Sequence, residues 1–185
     1  NTSNQVKLNI KFLVMDVDGT LTDGKIYMSD KGELFKAFDI KDGYGIHDIL
    51  PQYGIIPVII TARSSKILEH RCKELEITEC YQGCRQKFDR LKTILADFSD
   101  KDNVEYTLQN VAYIGDDILD LKCMELIKKS GGIIGCPSDS VKEVIEVADY
   151  VCKRKGGEGA VREFISVLIL NSIQTDCINS FYKKE

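Results

Sequence analysis

The chain has 185 residues, 43% hydrophobic and 29% charged, with a net charge of −4. That size and balance suit one globular domain with a sizeable core and leave little room for two. The acidic balance argues against a broad nucleic-acid-binding face. An anionic substrate would need local positive charge, from a metal ion or from selected Lys and Arg side chains.

No apolar run reaches membrane-spanning length; the longest, Val161 to Leu170, is interrupted by Arg162 and Glu163 and reads as a buried or interface helix. Seven cysteines (Cys72, Cys80, Cys84, Cys123, Cys136, Cys152 and Cys177) are odd in number and scattered, and the N-terminus Asn1–Gln5 is polar rather than signal-like. A reduced cytoplasmic setting is therefore expected. Cys80 and Cys84 are close, but no second pair accompanies them and only His47 and His70 are available, so no zinc pattern emerges.

In chain order, Ile10 to Met15 is a predicted strand that runs straight into Asp16-Val17-Asp18-Gly19-Thr20. Two carboxylates one residue apart at the end of a buried strand repel each other. A divalent cation relieves that repulsion, which points to metal-assisted chemistry on an anion such as a phosphate. Lys25 to Met28 and Leu34 to Ile40 form a predicted hairpin around Ser29-Asp30-Lys31-Gly32. A short helix is expected over Asp42 to Leu50, then a strand over Ile55 to Ile60 that ends at Thr61-Ala62-Arg63. Ser64 to Glu74 reads as a helix capped by Ser64 or Ser65. After a brief strand at Cys80-Tyr81, Lys87 to Phe98 is a helix with Phe88, Leu91, Ile94 and Leu95 on one face.

Val111 to Ile114 is the next strand and leads to Gly115-Asp116-Asp117, with Asp120 beyond it. Ile118 to Lys129 is helical, Gly132 to Gly135 a strand, Val141 to Val147 a helix, Tyr150-Val151 a short strand and Ala160 to Leu170 the last helix. The organisation is one domain over 1–171, including a hairpin over 25–40, and a polar tail over 172–185 that is expected to be mobile or docked on another subunit. Alternating strands and helices with short links predict an α/β fold: a three-layer, doubly wound parallel sheet covered on both faces. The hairpin is its one insertion, placed to act as a flap or an oligomer contact.

Four groups then converge at the carboxyl ends of neighbouring strands: Asp16 with Asp18, Thr61 to Arg63, Lys87, and Gly115-Asp116-Asp117 with Asp120. Each alone has an ordinary reading. The Asp-x-Asp-Gly run could be a turn or a calcium-loop fragment, Thr61 a helix cap, Lys87 a solvated lysine and Gly-Asp-Asp a turn. Their joint occurrence at one end of one sheet favours a site.

These motifs resemble those of the haloacid dehalogenase superfamily, over most of the chain. Phe38-Asp39-Ile40-Lys41-Asp42-Gly43-Tyr44-Gly45-Ile46, Tyr81-Gln82-Gly83, Asn110 to Asp117 and Gly156-Gly157-Glu158-Gly159-Ala160-Val161-Arg162-Glu163 look like the capless 3-deoxy-D-manno-octulosonate 8-phosphate phosphatase family. The resemblance implies a Mg2+-dependent phosphomonoesterase, a phosphorylated sugar-acid substrate and a homotetramer in which hairpins meet centrally and a neighbour's tail covers the site. By it, Asp16 is the nucleophile, Asp18 the general acid and base, and Thr61 and Lys87 hold the phosphoryl group. Asp16, Asp18 through its carbonyl, and Asp116 hold the metal, with Asp117 and Asp120 as further or water-mediated ligands.

Arg63 would take the substrate carboxylate, with Arg71 and Lys41 as further candidates. Ala62 departs from the family's usual Gly, and Glu158 stands where a basic residue is common. A nonulosonate 9-phosphate phosphatase and a non-catalytic tetramerisation module are the competing readings. No nucleic-acid or membrane partner is expected.

Overall fold

The computed structural model describes residues 9–172. Its centre is strand β1 (Phe12–Met15), whose four residues are all buried because helices cover both faces of the sheet. On one side β1 pairs in parallel with β4 (Ile56–Ile60), and on the other with β6 (Val111–Ile114), so that Met15 lies level with Ile59 and Ile114. Beyond β4 lies β5 (Glu79–Tyr81); beyond β6 lie β7 (Ile133–Cys136) and β8 (Tyr150–Val151). The order is β5-β4-β1-β6-β7-β8, parallel throughout.

Alternation along β1 assigns its side chains to two cores. Leu13 and Met15 join Leu68 of α2 (Lys66–Glu74) and Phe164, Ile165 and Leu168 of α6 (Ala160–Ser172). Phe12 and Val14 join Leu91 and Ile94 of α3 (Lys87–Asp102), Met124 and Ile127 of α4 (Ile118–Lys129) and Val144 of α5 (Lys142–Val147). The expected three-layer doubly wound α/β fold is present. Between β1 and β4 there is a hairpin and one irregular helical stretch, with no cap domain.

That stretch departs from the expected boundaries. The hairpin is shorter than predicted: β2 (Tyr27–Ser29) pairs antiparallel with β3 (Gly32–Phe35). Its second arm cannot run to Ile40, because Asp39 accepts a 2.7 Å hydrogen bond from the Lys41 N–H and starts helix α1 (Ile40–Tyr44). The chain then widens into π-type turns over Gly45–Ile49 and tightens over Leu50–Tyr53, ending at Gly54 with φ +66°. The predicted helix over Asp42 to Leu50 thus begins earlier and is not uniform.

Ser65 occupies the cap position of α2, but its hydroxyl does not cap; it donates to Glu33 Oε1 at 2.6 Å, and its N–H goes to Gln82 Oε1 at 2.7 Å. Helix α3 runs a turn past the predicted Phe98 to Asp102. The six described cysteines are free thiols; Cys177 and the expected tail contacts lie outside the described residues. Among the described residues, no helix is long and apolar enough to cross a membrane.

Candidate active site

Strand order reverses at β1: the chain moves outward through β4 and β5 on one side and through β6 to β8 on the other. Crossovers that leave in opposite directions open a crevice at the carboxyl ends of the strands. Asp16 enters it directly from β1, its N–H bonded to the Ile114 carbonyl at 3.1 Å. Asp116 enters from the end of β6.

Lys87, the first residue of α3, reaches into the same crevice with its side chain only 2% exposed. Its ammonium lies 2.9 Å from Asp16 Oδ1 and 2.7 Å from Asp120 Oδ1. Asp120 Oδ1 also accepts the Tyr113 hydroxyl at 2.6 Å, and Oδ2 accepts the N–H groups of Asp116 and Asp117, each at 3.2 Å. Both oxygens of Asp120 are therefore engaged. It fixes Lys87 and the turn that carries Asp116. Thr20 Oγ1 donates to Asp116 Oδ1 at 3.3 Å.

The site is overloaded with negative charge. Burial and then the nearby Asp120 carboxylate push Asp16 up to about 6, against the opposing pull of Lys87. Burial, Asp16 and Asp120 push Asp116 up to about 8. Burial works against the Lys87 charge, but Asp16 and Asp120 outweigh it and hold the ammonium above its usual range.

Three glycines set the spacing. Gly19 has φ +89°, and a Cβ there would stand 2.0 Å from Asp116 Oδ2. The Gly156-Gly157 turn braces the same loop: a Cβ on Gly156 would be 1.9 Å from the Gly19 carbonyl oxygen, and the Gly157 N–H donates to the Thr20 carbonyl at 3.2 Å.

The hairpin supplies the other wall. Lys36, with a side chain only 4% exposed, places Nζ 2.6 Å from Asp18 Oδ1 and 3.1 Å from Glu33 Oε2. Arg63 sets Nη2 3.1 Å from Glu33 Oε2 and Nη1 3.8 Å from Asp18 Oδ1. Thr61 is buried at the end of β4, with its N–H on the Tyr81 carbonyl at 3.0 Å and its own carbonyl accepting from the Cys84 N–H at 2.8 Å.

Three expected residues face elsewhere. Asp117 caps α4, its Oδ1 accepting from the Ile118 N–H at 2.7 Å. Arg71 pairs with Glu74 at 2.8 Å and lies over the Phe38 ring at 5.5 Å. Lys41 is exposed on α1, where its carbonyl accepts from Arg162 Nη1 at 3.3 Å.

No family model matches the chain. The curated 3-deoxy-D-manno-octulosonate 8-phosphate phosphatase KdsC of Escherichia coli K12 is 43% identical over 162 residues, 88% of this chain and 80% of the relative. The chain belongs to the 3-deoxy-D-manno-octulosonate 8-phosphate phosphatase family. Within this phosphatase family, the crystal structure from Yersinia pestis is 39% identical, covers 89% of this chain and 83% of its own, and superposes with a TM-score of 0.80. The Moraxella catarrhalis phosphatase is 35% identical, covers 95% of both chains, has a TM-score of 0.77 and was crystallised with magnesium, phosphate and a KDO molecule. The relatives belong to the haloacid dehalogenase superfamily of phosphatases.

The donors of this phosphatase fit a hard divalent cation. Carboxylate oxygens of Asp16, Asp116 and Asp120 lie within 4.8 Å of one another. Burial first, then the Asp120 carboxylate at Asp16 and the Asp16 and Asp120 carboxylates at Asp116, raise both groups, and Lys87 alone does not neutralise them. Sequence reasoning missed Lys36 and Glu33. The available signal was the expected flap itself: a flap that docks on an acidic loop needs a cation to do so.

Proposed function

We propose that this protein is a Mg2+-dependent phosphomonoesterase that hydrolyses 3-deoxy-D-manno-octulosonate 8-phosphate. The observation that carries the proposal is the Lys87–Asp16 contact of 2.9 Å inside a crevice of buried carboxylates, in a chain of this family. Asp16 and Asp116 would hold the cation, with Asp120 behind them as an anchor. When bound, the cation supplies positive charge that polarises the phosphoryl oxygens and holds Asp16 ionised.

Asp16 attacks phosphorus in line, forming an aspartyl-phosphate as the bond to the sugar oxygen breaks. Asp18 gives its proton to the departing alkoxide. It then takes a proton from the water that attacks phosphorus, and the bond to Asp16 breaks to release phosphate. Lys87 balances charge on Asp16 and on the transferring group, and Thr61 donates to its oxygens. Arg63 offers a planar fork to the sugar-acid carboxylate.

A homotetramer, which the family resemblance implies, is supported by the hairpin's exposed Ile26, Met28, Leu34 and Phe35, an apolar surface that neighbouring copies would cover. A cytoplasmic setting fits its free thiols. Nonulosonate 9-phosphates are the competing substrates. The related nonulosonate branch commonly has an acidic residue where Arg63 stands, which favours the octulosonate; Glu158, exposed on the Gly156–Gly159 turn, pulls weakly the other way.

Steady-state rates with both sugar acids, with Mg2+ and with a chelator, test the reading. The octulosonate ester should be the better substrate, and chelation should stop turnover. Asp16→Asn should lower kcat by about 10³-fold or more with an unchanged circular-dichroism spectrum. Near-normal turnover by that variant would place the nucleophile elsewhere.

A further inference from the structure

Glu33 makes the contacts expected of a bound carboxylate. Its Oε1 accepts the Ser65 hydroxyl at 2.6 Å, and its Oε2 lies 3.1 Å from Arg63 Nη2 and 3.1 Å from Lys36 Nζ. Burial works to raise the Glu33 pKa, but Ser65, Lys36 and Arg63 together hold it below the usual range. Asp18 lies on the same two cations, 2.6 Å from Lys36 Nζ and 3.8 Å from Arg63 Nη1.

The fit is incomplete. Arg63 Nη1 is buried and donates no hydrogen bond within the protein. Glu33 therefore engages one tine of the guanidinium fork and leaves the other without an acceptor. A carboxylate approaching along the fork can engage both tines at once, and the bidentate pair is the stronger arrangement.

We propose that Glu33 is an internal competitor, a side chain of the hairpin that fills the Arg63–Lys36–Ser65 pocket until the carboxylate of the sugar-acid substrate displaces it. This rests on the substrate class proposed above. The exchange conserves charge: one carboxylate leaves and another takes its place, so the two cations are never both unpaired. Release takes a rotation of the Glu33 side chain, 16% exposed in place, out of the pocket towards solvent. A phosphate ester without a carboxylate cannot complete the exchange. Occupation of the pocket by Glu33 raises the apparent dissociation constant of the acid substrate by the inverse of the open fraction.

The test compares wild type, Glu33→Gln and Glu33→Ala on 3-deoxy-D-manno-octulosonate 8-phosphate and on ribose 5-phosphate, which has no carboxylate. Thermal melts of all three proteins report on folding. In both variants the KM for the sugar acid should fall about 3–10-fold, and the ratio of kcat/KM values should move further towards the sugar acid. A rise in KM for the sugar acid in the well-folded Gln variant, with the wild-type preference for the acid intact, would mean that Glu33 merely orients Arg63, and overturns the competitor alone. A wild type that treats both esters equally overturns the substrate class and the competitor with it.

Discussion

Position 19 shows how tightly single residues define the acidic loop. Its φ of +89° suits glycine, and the space that a methyl group would need is filled by the Asp116 carboxylate, 2.0 Å from the ideal Cβ. Gly19→Ala should therefore displace Asp116 and lower kcat/KM by about 10²-fold, since an ångström of misplacement at a reacting centre has that scale of effect. Helix and strand content, read by circular dichroism, should stay the same, and the Mg2+ concentration for half-maximal rate should rise. At this scale much of the site was legible. That Asp16, Asp116 and Lys87 would meet could be anticipated because they lie in short motifs at two strand ends and a helix start. The anchoring work of Asp120 was not fully legible, because it depends on the Tyr113 hydroxyl and two N–H groups that only the folded turn aims at one carboxylate. Lys36 was hidden for a similar reason: its 2.6 Å contact with Asp18 exists only once the hairpin folds back over β1.

Between elements, Asp42 joins α1 to α6 across 120 residues of sequence. Its Oδ1 accepts from the Arg162 N–H at 2.9 Å, which satisfies a donor in the first turn of α6. Burial is the main reason that its pKa rises from 3.8 to about 6; the Arg162 N–H opposes the rise and Asp39 adds to it. Folded Asp42 thus binds a proton more tightly than unfolded Asp42. Its stabilising contribution is complete below about pH 4 and is lost as pH rises through 6. Asp42→Asn keeps an acceptor and cannot titrate. The stability of wild type relative to that variant should fall by about 2 kcal/mol between pH 4 and pH 7 in urea melts. A parallel pH dependence in the two proteins would show that Asp42 is not the titrating group. The helix around Asp42 was only partly legible. A short helix over Asp42 to Leu50 could be read from the residues, but nothing in them announces the wide turns over Gly45–Ile49, which pack against α6.

For the whole molecule, the doubly wound three-layer architecture could be derived because short links and right-handed crossovers leave few topologies for alternating strands and helices, whereas the strand order came only with the fold. What the chain alone could not express is why its one insertion presents apolar side chains to solvent. Met28 and Leu34 are 60% and 59% exposed, and Tyr27 stacks on Phe35 at 4.3 Å, so the hairpin is ordered while its outer face is uncovered. The same hairpin carries Glu33 and Lys36 into the crevice. Assembly and activity should therefore be linked: copies that pack hairpin against hairpin hold Lys36 on Asp18 without touching the chemistry themselves. Met28→Glu combined with Leu34→Glu places like charges at the proposed centre of the tetramer. Light scattering after size-exclusion chromatography should show a tetramer for wild type and smaller species for the double variant. The same variant should lose about 10-fold or more in kcat/KM, because a mobile hairpin no longer positions Lys36. A wild type that is monomeric at micromolar concentration would remove the proposed assembly, and a dissociated variant of full activity would break the link between the assembly and the crevice.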